Sequence, residues 1–131
     1  MKLPKVVKVD FEYFKNCCEY WIEFFGLKAW CVSYLWEEQD ITDPEPSQAW
    51  VDGDSLNHMA TISFNKFWID DISLYTKENI NFIAFHEVCE ILLFRLFDLG
   101  TSRYEVTSNE MLNARHEICH LLENSVYKNF K

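Results

Sequence analysis

The sequence predicts a small α+β domain spanning residues 1 to 131, with an N-terminal helix, a central buried helix and a C-terminal helix packed with a small antiparallel sheet of about three strands. Two observations point there. Three helical stretches carry their own start signals, and period-two alternation fills the segment between the first and second of them. A third is composition: 49% apolar and 17% aromatic residues are enough for one core, and a domain of this size buries roughly two-thirds of its unfolded surface.

Taken in order, Met1-Lys2-Leu3-Pro4-Lys5 leads into a short strand-like run. Asp10 is then placed to cap a helix to about Phe25, with Phe14, Cys17, Cys18, Trp21, Phe24 and Phe25 as its apolar stripe and Gly26 as its stop. Leu27 to Trp36 alternates as a strand does, and Glu37 to Ser47, with Pro44 and Pro46 among acidic residues, reads as a loop. Ala49-Trp50-Val51 and Met59 to Phe64 read as strands flanking a turn at Asp52-Gly53-Asp54-Ser55. Ile69 to Tyr75 reads as a connector, after which Thr76 caps the long helix, Glu78 favours its N-terminal dipole and Gly100 ends it. Thr107-Ser108-Asn109-Glu110 matches a capping box that opens the last helix, running towards Tyr127.

The formal charge is −9, and no Lys or Arg falls between Lys28 and Lys66. Such a surface repels phosphate backbones, so nucleic acid is not an expected partner. The acidic run serves solubility or selects a basic partner. Five cysteines, odd in number and scattered through apolar segments, do not form a disulfide framework and suit a reducing cytosol. With neither a signal-peptide pattern nor an unbroken apolar span of membrane length, the expectation is a cytoplasmic protein without a membrane partner.

The chemistry lies in the long helix. Fourteen of the twenty residues from Ile80 to Leu99 are apolar and surround the axis, the pattern of a central, buried helix. His86, Glu87 and Glu90 interrupt it, and His86 and Glu90 fall within about 40° of each other on the helical wheel. Buried carboxylates need a cation, a proton or a partner charge, and one divalent ion serves all three side chains. His and Glu at i and i+4 project from consecutive turns to one point, the ligand geometry of the zinc-peptidase helix. Glu87, directly after the first ligand, is then placed as a general base, Glu87 taking a proton from water.

Two ligands leave the set incomplete, and three candidates supply the rest. His116 lies at the edge of the apolar arc of the last helix and can reach a neighbouring helix. Glu110 follows Glu90 by twenty residues but is also the capping partner of Thr107. His116-Glu117-Ile118-Cys119-His120 matches His-Glu-x-x-His literally, yet His120 points to the polar face, where a site would be open to water. Glu117 and His120 are also half of a di-iron pattern, whose matching Glu-x-x-His is missing from the long helix.

Phe85-His86-Glu87-Val88-Cys89-Glu90-Ile91-Leu92-Leu93, then Ser102-Arg103-Tyr104, Ala114-Arg115-His116 and Leu122-Glu123-Asn124, together resemble a family of small phage-encoded, zincin-like metallopeptidases. The resemblance takes in most of the chain after about Leu27, including the Ala-led strand at Ala49 and the strand at Ala60 to Ile62. It implies His86, Glu90 and His116 as ligands of Zn2+ or another divalent metal, Glu87 as general base, and a peptide or protein substrate in the host cytoplasm. Glu90 stands where a second His is usual. Two His and one Glu remain a known catalytic zinc set, although an anionic ligand lowers the Lewis acidity of the ion. The expected function is metal-assisted hydrolysis of a peptide or similar amide, with the edge of Met59 to Phe64 aligning substrate by backbone pairing. The alternative is a non-catalytic viral interaction protein with a structural or vestigial metal and a partner-binding acidic loop, Glu37 to Asp54.

Overall fold

The computed structural model describes residues 3–39, 46–101 and 107–129. Asp40, Asp43, Pro44 and Glu45, from the stretch expected to be a loop, and Ser102-Arg103-Tyr104 lie outside the described residues. The fold is a small α+β fold: α1 (Lys8–Phe24), β1 (Cys31–Glu37), β2 (Ala49–Asp54), β3 (Met59–Asn65), α2 (Lys77–Thr101) and α3 (Ser108–Leu122).

The first helix starts two residues before Asp10, with Val7 at the N-cap and no side-chain cap. Asp10 instead accepts a 2.6 Å hydrogen bond from the Tyr75 hydroxyl, which also receives the Val7 N–H at 3.1 Å. One tyrosine thereby ties the start of α1 to the segment before α2. Gly26 closes the helix as expected, in the left-handed region at φ 73°.

The sheet is mixed, not antiparallel. β3 lies in the middle, parallel to β1 and antiparallel to β2. The β2–β3 hairpin reverses the chain, and because β3, not β2, lies beside β1, the pair β1–β3 runs the same way. Met59 to Phe64 is therefore paired on both sides, and among the described residues β1 and β2 form the edges of the sheet, so substrate alignment along β3 is ruled out by its own neighbours.

Two boundaries move for local reasons. Leu27 to Trp30 forms a turn, Trp30 N–H bonding to the Leu27 carbonyl at 3.0 Å, and the strand begins at Cys31. Asp52 and Gly53 stay in β2, and the reversal falls on residues 55–58. There the Asp54 carboxylate accepts the N–H groups of Leu56 and Asn57 and the Asn57 amide, while His58 takes φ 50°. Gly53 serves packing, not turning. A Cβ at Gly53 would lie 2.6 Å from the Phe94 ring and 2.7 Å from the Met59 carbonyl oxygen. Gly53→Ala is expected to cost about 1–3 kcal/mol in denaturant unfolding, with Phe94→Ala in the same chain relieving only the ring clash, since the carbonyl cannot step aside.

One face of the sheet carries the core. Phe64 of β3 packs on Phe14 of α1 with ring centroids 4.4 Å apart, Trp36 of β1 stacks on Phe11 at 5.5 Å, and Ile62 and Phe64 are fully buried. Cys31, Ser33 and Leu35 on the other face of β1 are exposed. All five cysteines are free, with Cys17 and Cys18 buried in this core.

α2 packs against α1, β2 and α3. Its start is capped by Thr76, whose hydroxyl accepts the Asn79 N–H at 3.2 Å, and it runs through Gly100 to Thr101. Thr107 caps α3 through the Glu110 N–H at 3.1 Å, with the Thr107 hydroxyl 3.4 Å from the Glu110 carboxylate. After Leu122 the chain widens into one π turn, Glu123–Tyr127, where the Ser125 hydroxyl bonds to the Leu121 carbonyl at 2.7 Å. Among the described residues no helix is long and apolar enough to cross a membrane.

Candidate metal centre on the central helix

The register of α2 is held from α1. The Trp21 indole N–H donates to the Asn81 side-chain oxygen at 2.9 Å, and Phe85 packs edge-on against Trp21 with centroids 4.9 Å apart. These contacts, with buried Ile80, Ala84, Val88 and Ile91, fix which side of the helix meets the core.

His86 and Glu90, one turn apart, therefore fall on the outer side. His86 Nε2 lies 3.9 Å from Glu90 Oε1, and their side chains are 63% and 50% exposed. Glu87 faces inward and is only 5% exposed. Among the described residues these are the one group of three that brings metal-ligating donor atoms within 4.8 Å of one another.

Glu87 is electrostatically out of balance. Its Oε2 is buried without a hydrogen-bond partner among the described residues. Burial first, and then the hydrogen bond to and negative charge of Glu90, push its carboxyl up to about 8. The neighbouring Cys18 thiol on α1 is raised far above its usual value by burial and stays neutral, so it offers no compensation.

The arrangement fits a divalent ion. Two donors on one tetrahedral zinc stand roughly 3.3 Å apart, so the 3.9 Å between Nε2 and Oε1 closes with small side-chain rotations. His86 and Glu90 form a mixed nitrogen and oxygen pair suited to zinc, manganese or iron(II), with the Glu87 carboxyl behind them. A dication would also answer the uncompensated acid of Glu87.

The other candidate ligands are elsewhere. His116 is exposed on α3 and lines a separate cavity of about 470 Å³ with Trp30, His58, Arg95, Glu117 and His120. It is not part of the group around Glu87. Arg95 and Glu117 form an ion pair across α2 and α3, which occupies the acid of the literal His-Glu-x-x-His segment. His120 is 71% exposed beside Glu123, as its wheel position implies. Glu110 is engaged at the cap of α3.

Sequence reasoning missed the surroundings of the site. Phe82, Leu93 and Phe97 are 66%, 45% and 64% exposed on the same outer side of α2 as His86 and Glu90. Their only signal is angular: on a wheel they share the sector of His86 and Glu90, opposite Ile80, Ala84 and Val88.

Fold and site together describe a small α+β protein with a candidate divalent-metal group on its central helix. No family model, no curated protein and no solved structure matches the chain.

Proposed function

We propose that the chain is a metal-dependent hydrolase of the metallopeptidase-like kind, acting on a peptide or similar amide. His86 and Glu90 would hold Zn2+ or another divalent ion, and Glu87 would act as proton acceptor. The carrying observation is the buried Glu87 carboxyl, whose Oε2 has no hydrogen-bond partner among the described residues, grouped with the His86 and Glu90 donors within 4.8 Å. Bound there, the ion supplies Lewis acidity and a lowered pKa for water.

The chain's own residues supply the proton traffic. Glu87 sits at the low-dielectric wall of the site, where burial and Glu90 keep its affinity for a proton near neutrality, the range in which a general base works best. His86 and Glu90 stand on the solvent side, so substrate approaches from outside the helix. With β3 enclosed, an extended peptide would pair with the edge of β1 or β2.

Glu87→Gln preserves size while removing the proton acceptor. The expected result is retained metal binding with hydrolysis reduced by about 10²–10⁴-fold; a variant that kept both metal and hydrolysis would overturn the assignment. Substrate panels are best run with peptides of varied sequence, read by mass spectrometry.

A second reading has its own support. His116 stands in a different cavity, and exposed apolar side chains surround the group. Both suit a non-catalytic viral interaction protein with a structural metal. Partner capture that depends on Glu37, Glu38, Asp52 and Asp54 but is indifferent to His86→Ala would favour it.

A further inference from the structure

We infer that two copies of this chain share one divalent ion, each contributing His86 and Glu90 across an antiparallel α2–α2 contact. The inference rests on the metal-binding part of the reading above and not on hydrolysis.

Coordination is the first argument. A closed zinc site takes four protein donors. One copy presents two on its surface, His86 and Glu90, with the third group, Glu87, buried behind them. A two-fold axis through the helix face at the level of Val88 doubles the exposed pair. His86 then stands level with Glu90 of the second copy, and Glu90 with its His86, giving two imidazoles and two carboxylates around one point.

The flanking residues match the same axis. At a rise of about 1.5 Å per residue, Phe82 falls within roughly one residue of the level of Leu93 in the second copy, on each side of the ion. Phe82 and Leu93 are exposed in the single chain although large and apolar. Paired across the axis, they would shield the ion from water at both ends.

Charge and area decide that the contact needs the ion. Each copy carries −9, and the contact would set two Glu90 carboxylates against each other; a dication at the axis neutralises that pair. Phe82, Leu93 and Phe97 offer on the order of 300 Å² per copy, well short of the roughly 800 Å² per partner of a standard stable interface. Apolar burial alone is too small to hold two acidic chains together. The shared site has no open position, so it is the non-catalytic state of the group, and any hydrolysis belongs to the single chain.

The test titrates the full chain, freed of metal and of any affinity tag, with Zn2+ while mass is read by light scattering. Saturation at one ion per two chains, with doubling of mass that a chelator reverses, is the expected result. One ion per chain at unchanged mass would overturn the shared site and leave the metal reading standing; no bound ion would overturn both. Leu93→Glu, at a half-exposed position outside the core, is expected to keep the circular dichroism of the parent and stay single with zinc. Zinc-driven doubling that survived in His86→Ala would also overturn the inference.

Discussion

Metal-free protein is expected to lose stability as pH rises from about 5 to about 8, and Glu87→Gln to remove most of that loss. The folded state holds the Glu87 carboxyl at about 8, against 4.5 for the free group, because ionising it would leave a buried charge beside Glu90. Below 4.5 both folded and unfolded chains keep the proton, and the group does not alter their balance. Between the two values the unfolded chain releases its proton and the folded chain retains it. Stability must then fall as pH climbs, at up to about 1.4 kcal/mol per unit, and level off once the folded state ionises too. The integrated effect is on the order of a few kcal/mol. His86 and Glu90 face the group from its own helix and the buried Cys18 thiol from α1, the thiol staying neutral throughout. Urea midpoints across this range, in chelator, should show the decline in the parent and a flatter line in Glu87→Gln. Zn2+ should stabilise both chains through His86 and Glu90, and the parent by more at pH 8, since its ionised Glu87 carboxylate also gains from the cation.

That expectation turns on which side of α2 Glu87 occupies, and here sequence and structure part. End signals work well because they are local: Thr76, Thr107 and Gly26 cap or stop helices through hydrogen bonds and dihedrals that neighbouring residues determine. Gly100 does not stop α2, since a glycine there is also compatible with continuing the helix. Strand identity was legible in the alternation of Val32, Tyr34 and Trp36, but strand order was not. Nothing in the residues of β1 says whether β2 or β3 will lie beside it, and the parallel pairing follows from that choice. Gly53 illustrates a related ambiguity, because Asp-Gly-Asp is a turn signal by composition and a packing device by contact with Phe94.

The site was half legible. Placing His86, Glu87 and Glu90 together needed only helical spacing, and the structure does bring their donor atoms together. Their burial was misread because a helix with fourteen apolar residues in twenty has no polar stripe to mark its outer side. His86 and Glu90 are themselves that mark, and only Glu87 is interior. His116 required knowing how α3 crosses α2, a tertiary fact set by Ala114, Ile118 and Leu121 packing against the core and by the Arg95–Glu117 pair.

Phe64→Ala against Phe82→Ala and Phe97→Ala tests the two-sided helix most sharply. Phe64 is fully buried in the central strand and packs on Phe14 at 4.4 Å, so its removal leaves a cavity between sheet and α1 as well as losing buried apolar area. About 3–5 kcal/mol is the expected cost, a large share of the total stability of a chain this size. Phe82 and Phe97 are the same residue type on a helix that is apolar almost throughout, and a helix enclosed on all sides would make them equally expensive to remove. At 66% and 64% exposed they have little to lose, and each alanine should shift the unfolding free energy of the single chain by less than about 0.5 kcal/mol. The contrast separates two reasons for a phenylalanine to be present. In Phe64 the ring holds the fold together, whereas Phe82 and Phe97 carry theirs at the surface, on the same side of α2 as His86 and Glu90.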